Sequence, residues 1–200
     1  MAIYILGTKE QTVEALSDDC LGRFIADIAC VLCEVHQRYL QDSYFLDDDK
    51  FEKKDMLEYI NRVEKIPIRN TGLKDSPWTR WAYGRLVNYL FLKNLGLEAV
   101  KEWDYRFSLL KWHNGKKIIQ WADKNLPDFF NLNNDGPYSF PMDFPNKYMH
   151  KNKYPLSLDS HEFLIKSYRN YYDSVISRNA EKFTWTKREG AKSAYRYRLK

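Results

Sequence analysis

Apolar residues recur at helical spacing along most of the chain. The longest run is Leu21, Phe24, Ile25, Ile28, Leu32, Val35 and Tyr39. Steps of three and four residues put them on one stripe, which predicts an amphipathic helix. Ser17 and Asp18 precede it as caps, and the Asp charge suits a helix N-terminus. Cys20, Arg23, Asp27 and Glu34 fall on the flank of the stripe. Cys20, Arg23 and Asp27 lie within roughly 60° of one another at 100° per residue. Arg23 and Asp27 have the spacing of an i,i+4 ion pair.

A second helix is predicted over 51–66, with Met56, Ile60 and Val63 inward and Pro67 ending it. Ser76-Pro77 reads as a cap followed by proline at the first helical position. Trp78, Trp81, Ala82, Leu86, Tyr89 and Leu90 then keep helical spacing. Gly96 predicts a break, with a new face through Val100, Trp103, Phe107 and Leu110. Two helices at a shallow angle and one kinked helix fit this equally. A turn over 111–115 leads to a short helix carrying Ile118, Ile119, Trp121 and Ala122, closed before Pro127. Residues 127–157 hold five of the seven prolines and many aromatics, the pattern of an ordered loop wrapped over a core. Asp159 and Glu162 read as a capping-box start for a last helix with Leu164, Tyr168, Tyr171 and Val175 on one face. Residues 2–6 are an apolar segment, either a short strand or an extended arm.

The expected fold is mainly α: one compact bundle of about five or six helices. Residues 1–125 form the helical core, 126–157 the Pro/aromatic loop, 158–181 the C-terminal helix and 182–200 a basic tail. Trp81, Asn88, Tyr89, Trp103 and Tyr168 are expected in its core.

Charge adds a direction. The net charge is +5. Residues 1–60 carry 6 basic and 13 acidic groups, whereas residues 166–200 carry 10 basic and 3 acidic. A basic end on an acidic-headed chain fits a polyanionic partner, and equally a solvated tail. Three cysteines cannot all pair, and no signal peptide or long apolar run occurs, so a cytoplasmic setting without a membrane is expected. Cys30, Cys33 and His36 drift around one helix without a fourth ligand, so no metal and no cofactor are expected. Asp47, Asp48 and Asp49 lack the glycine and closing glutamate of a calcium loop. No HExxH, Gly-rich phosphate loop or GxSxG elbow occurs. What remains is Arg and Lys interleaved with aromatics over 78–89, 103–117, 168–172 and 182–198. Cations neutralise phosphates and aromatic faces stack on bases.

Trp81, Asn88-Tyr89, Glu102, Tyr105 and Arg106, then Tyr148, Tyr168-Arg169-Asn170-Tyr171-Tyr172 and Trp185-Thr186-Lys187-Arg188 form a pattern. It resembles that of a family of small proteins carried mostly by bacteriophages and sometimes by bacteria. The resemblance runs from about Ile3 to Arg188 and is most specific in the WxxxxxxNY and YRNYY elements. More faintly, the N-terminal half resembles the phage pyrimidine-dimer DNA glycosylases of the endonuclease V type. There an N-terminal amine attacks the sugar and a helix glutamate does the acid/base work. The matching first-helix positions are Asp18, Cys20, Leu21 and Asp27. Cys20 stands for a histidine and Asp27 for the glutamate. Arg23, Ser76 and Arg85 stand where lysine, histidine and serine are expected.

The resemblance implies a DNA base-processing enzyme acting on a flipped base, in the cytoplasm of a phage host. Asp27, the amine of Ala2 once Met1 is removed, and Arg23 would be catalytic. Arg80, Arg85, Arg106, Arg169, Lys187, Arg188 and Trp185 would bind nucleic acid. The alternative is a non-catalytic binder of nucleic acid or of a host protein on the same scaffold. A purely structural helical domain is the third reading.

Overall fold

Six α-helices carry the described part of the chain: α1 Lys9–Ala15, α2 Asp18–Tyr44, α3 Pro77–Gly84, α4 Leu86–Phe107, α5 Asn114–Lys124 and α6 Ser160–Ser177. The structure is a computed structural model and describes residues 3–44, 73, 75–108, 113–127, 140–143, 145–148, 160–178 and 182–188. One 3-10 turn covers Asn146–Tyr148, and no strand occurs among the described residues. The fold is mainly α. The expected helix over 51–66, the Asp47–Asp49 run, the Asp159 cap, most of the Pro/aromatic loop and the tail beyond 188 lie outside the described residues.

Helix α2 is the axis of the bundle and packs against α3, α4 and α5. Its stripe of Leu21, Phe24, Ile25, Ile28, Leu32 and Val35 is fully buried, and Tyr39 is half-buried at the end. Each such side chain removed from water contributes about 1.5–3 kcal/mol, which fixes the helix's rotation. Helix α3 starts as its sequence predicts, with Ser76 Oγ accepting from Thr79 N at 3.0 Å and Pro77 in the first turn. No helix among the described residues is long and apolar enough to cross a membrane.

Two expectations are corrected in this core. The break falls at Arg85, between α3 and α4, and α4 runs unbroken through Gly96. Asn88 holds the α3–α4 corner, its Nδ2 donating to the Trp81 carbonyl at 2.9 Å. Gly96 serves helix approach. A Cβ there would stand 2.9 Å from Ile28 Cγ2 and 3.2 Å from Ile119 Cδ1. The glycine lets α2 and α5 close on α4. The second correction is on α2, where Arg23 reaches back to Asp19 at 3.1 Å rather than forward to Asp27.

The start of the chain is an extended arm. Ile3, Tyr4, Ile5 and Leu6 are buried without joining a sheet. Leu6 is held from both sides, its N donating to Thr12 Oγ1 at 3.0 Å and its carbonyl accepting from Arg169 Nε at 2.8 Å. Helix α1 follows. Its capping box is complete: Gln11 N donates to Thr8 Oγ1 at 3.2 Å and Thr8 N to Gln11 Oε1 at 3.1 Å.

The last turn of α1 leaves carbonyls that its own backbone cannot satisfy. Three distant side chains do so. Arg106, fully buried on α4, donates through Nη2 to the carbonyls of Val13 (3.3 Å) and Glu14 (3.1 Å) and through Nη1 to that of Leu16 (2.7 Å). Trp185 Nε1 and the Tyr172 hydroxyl donate to the Ala15 carbonyl at 3.1 and 3.2 Å. The Tyr172 hydroxyl also accepts from Ser17 N at 2.8 Å. Arg106 is neutralised by Glu102 (2.7 Å) and Asp18 (3.0 Å). Segment 182–188 closes over this junction. Thr184 and Thr186 donate hydroxyl hydrogens to Asp18 Oδ2 at 2.8 and 2.7 Å, and Arg188 grips Glu102 at 2.9 Å and Glu14 at 3.2 Å.

Candidate active site

Asp27 lies on the half-exposed flank of α2, one turn past Arg23, whose side chain is 71% exposed and open to solvent. The N-terminal arm runs beside it. The buried Tyr4 phenol feels the charges of Cys20, Tyr171, Arg23 and Asp27, and burial is the main reason its pKa is raised. Tyr4 is wedged between Tyr172 (rings 5.1 Å apart, edge to face) and Tyr171 (5.8 Å). Helix α6 thus holds the arm against the flank of α2.

A second carboxyl completes the site. Asp143 follows Pro141 and Met142 in an extended stretch seated by Tyr168. The Tyr168 hydroxyl donates to the Pro141 carbonyl at 2.5 Å and accepts from Asp143 N at 3.4 Å. Asp143 Oδ2 is buried and has no hydrogen-bond partner among the described residues. Burial raises the Asp143 pKa above the usual carboxylate range, and the negative charge of Asp27 adds to the shift. A carboxyl that burial makes hold its proton more tightly, within range of a second carboxylate's charge, is an arrangement suited to acid/base chemistry.

The surrounding groups are quieter. Cys20 is buried, and that burial pushes its thiol pKa up, away from thiolate chemistry. Cys33 and His36 are buried and Cys30 is half-buried. His36 shares a hydrogen bond of 2.7 Å with the Tyr89 hydroxyl, and burial lowers its pKa to about 4. No group of His, Cys, Asp and Glu among the described residues is placed to hold a metal ion.

Most of the expected nucleic-acid contacts are engaged within the protein. Arg106 is the clearest correction: its guanidinium is 0% exposed and each of its three nitrogens donates inside the protein, so it meets no phosphate. Trp185 is buried against α1, and Arg188 is turned onto Glu102 and Glu14. Lys187 is exposed, its ammonium donating to the Tyr105 carbonyl at 2.8 Å. Arg169 spends its Nε on the arm. Arg80 is exposed on α3, and Arg85 is half-buried at the corner. Ala2 lies outside the described residues. Of the expected core residues, Asn88, Tyr89, Trp103 and Tyr168 are buried, and Trp81 is half-buried against Trp78, Phe91 and Phe140.

Asp143 carries no signal in the sequence. It sits in a stretch without period, and only the fold brings it towards Asp27. Comparisons with protein-family models, with curated proteins and with solved structures found no match.

Proposed function

We propose that the chain is a DNA base-processing enzyme whose acid/base pair is Asp27 and Asp143. The observation that carries this reading is the buried Oδ2 of Asp143, which has no hydrogen-bond partner among the described residues and lies within range of the Asp27 charge. In release of a base, the C1′–N bond breaks. Asp143 gives its proton to the departing base, and the Asp27 carboxylate stabilises the developing positive sugar and takes a proton from the attacking water. Arg23, exposed one turn before Asp27 and paired with the exposed Asp19, would meet a phosphate of the same nucleotide in this reading. The resemblance of the first helix to the phage glycosylases supports the same class of reaction. The non-catalytic binder gains less support, because Arg106, Arg188 and Trp185 are turned inward.

The test is base release on duplexes that each carry one modified base. Asp27→Asn and Asp143→Asn are each expected to lower the rate by about 10²–10⁴-fold while the fold is kept. Unchanged release by both variants, or no release from the wild type across the panel, overturns the reading.

A further inference from the structure

A separate cluster on the outer side of α6 is built differently from the rest of the surface. Arg178 Nη2 donates to the Tyr148 hydroxyl at 2.8 Å, and that hydroxyl shares a 2.7 Å hydrogen bond with Ser174 Oγ. Lys147 Nζ stands 5.0 Å from the centre of the same ring. Arg178 and Lys147 are both exposed, and neither forms an ion pair among the described residues. This contrasts with Arg106 and Arg188, each held by two carboxylates. Two cations and two hydroxyls thus converge at this end of α6, with no ion pair to either cation among the described residues. The C-terminal end of α6 beside them supplies only about half a negative charge, too little to balance two full positive ones. The Tyr148 hydroxyl is also held below its usual pKa, first by the Ser174 hydrogen bond and further by the nearby Lys147 and Arg178.

The cluster is joined to the carboxylate pair by aromatic rings. Tyr148 lies 5.1 Å from Tyr171, and Tyr171 lies 5.8 Å from Tyr4, whose phenol feels Asp27. Tyr148 and Tyr171 are both half-buried. We propose that Lys147, Arg178, Ser174 and Tyr148 form a phosphate-holding subsite for a single DNA strand whose target nucleotide sits at Asp27 and Asp143. The exposed parts of Tyr148 and Tyr171 offer stacking surface to bases between the two points. This inference rests on the proposed function for its choice of DNA. It adds what that reading lacked, a place where the backbone is gripped away from the chemistry.

Binding of a fluorescent single-stranded oligonucleotide to the full chain, titrated over salt, tests it. Lys147→Ala with Arg178→Ala removes two phosphate contacts from an exposed site, so the fold is expected to stay intact by circular dichroism. The double variant should bind at least tenfold more weakly near 0.1 M salt, and the slope of log affinity against log salt should shrink by about 1.4. Tyr148→Phe should weaken binding less. If the Lys147/Arg178 variant keeps the wild-type affinity and slope, the subsite is wrong, and base release can still uphold the carboxylate pair. If the variant loses binding as expected while wild-type base release is absent, the subsite stands and the catalytic reading fails. Wild-type binding that does not respond to salt overturns the subsite outright.

Discussion

Arg106 Nη1 donates to the carbonyl of Leu16, ninety residues earlier in the chain, at 2.7 Å. The same guanidinium covers the end of α1 and pairs with Asp18 at the start of α2, so one side chain serves the exit of one helix and the entrance of the next. Asp18 lies where α2 leaves positive partial charge, and Arg106 lies where α1 leaves negative.

Replacing Arg106 should therefore cost more than a surface arginine. Arg106→Met leaves Glu102 buried beside one cation fewer and uncovers three carbonyls. A loss of about 3–5 kcal/mol is expected in urea unfolding. Arg106→Lys should rescue little of it, because one ammonium cannot span the same fan of acceptors. Arg80→Met, on the exposed face of α3, should change stability by less than about 0.5 kcal/mol.

The junction should also open in acid. Burial of the Asp18 carboxyl opposes ionisation, but hydrogen bonds from Thr186, Thr184 and Arg106 outweigh this and lower its pKa. A lowered carboxylate pKa means that the unfolded chain binds the proton more readily. The stabilisation is full above the ordinary value near 3.8 and is lost as pH falls through the folded value. Thermal melts of Asp18→Asn should be lower than wild type at pH 6, with the gap closing as pH falls below the ordinary value near 3.8.

His36 gives a second, higher window. Its pKa falls from 6.5 to about 4 because the buried ring resists charge. The unfolded state takes up a proton first, so stability is intact above pH 6.5 and declines towards pH 4, by about 3 kcal/mol in all. In His36→Phe that decline should disappear from the pH dependence of urea unfolding, although the hydrogen bond to Tyr89 is lost at every pH.

Gly96→Ala tests the close approach of three helices. Its new Cβ would fall 2.9 Å from Ile28 Cγ2, so overpacking should cost about 1–3 kcal/mol despite alanine's better helix propensity. Combined with Ile28→Ala, which clears that contact, the two costs should fail to add by a measurable margin in a double-mutant cycle.

These residues also show what was legible beforehand. The α2 stripe and the Ser76-Pro77 start could be read because they are local patterns of period and capping. Helix α1 is not legible although Thr8 and Gln11 form its capping box, since seven residues carry little periodic signal. Gly96 reads as a break because a missing Cβ looks the same in a turn as under a neighbouring helix. Arg106 reads as a phosphate contact, for charge is visible in a sequence and burial is not. Nothing near Asp143 hints at its buried oxygen, because its seat depends on Tyr168, twenty-five residues later.

The closure by residues 184–188 has a consequence for how the protein is made. Asp18 N donates to the Thr184 carbonyl at 2.9 Å, so the first helical junction is completed by nearly the last described segment. On the ribosome, α1 and α2 emerge early and must wait, with the Ala15 carbonyl and the Asp18 carboxylate still hydrated. Any chain cut short of Arg188 would be left with an unlatched beginning rather than a missing end.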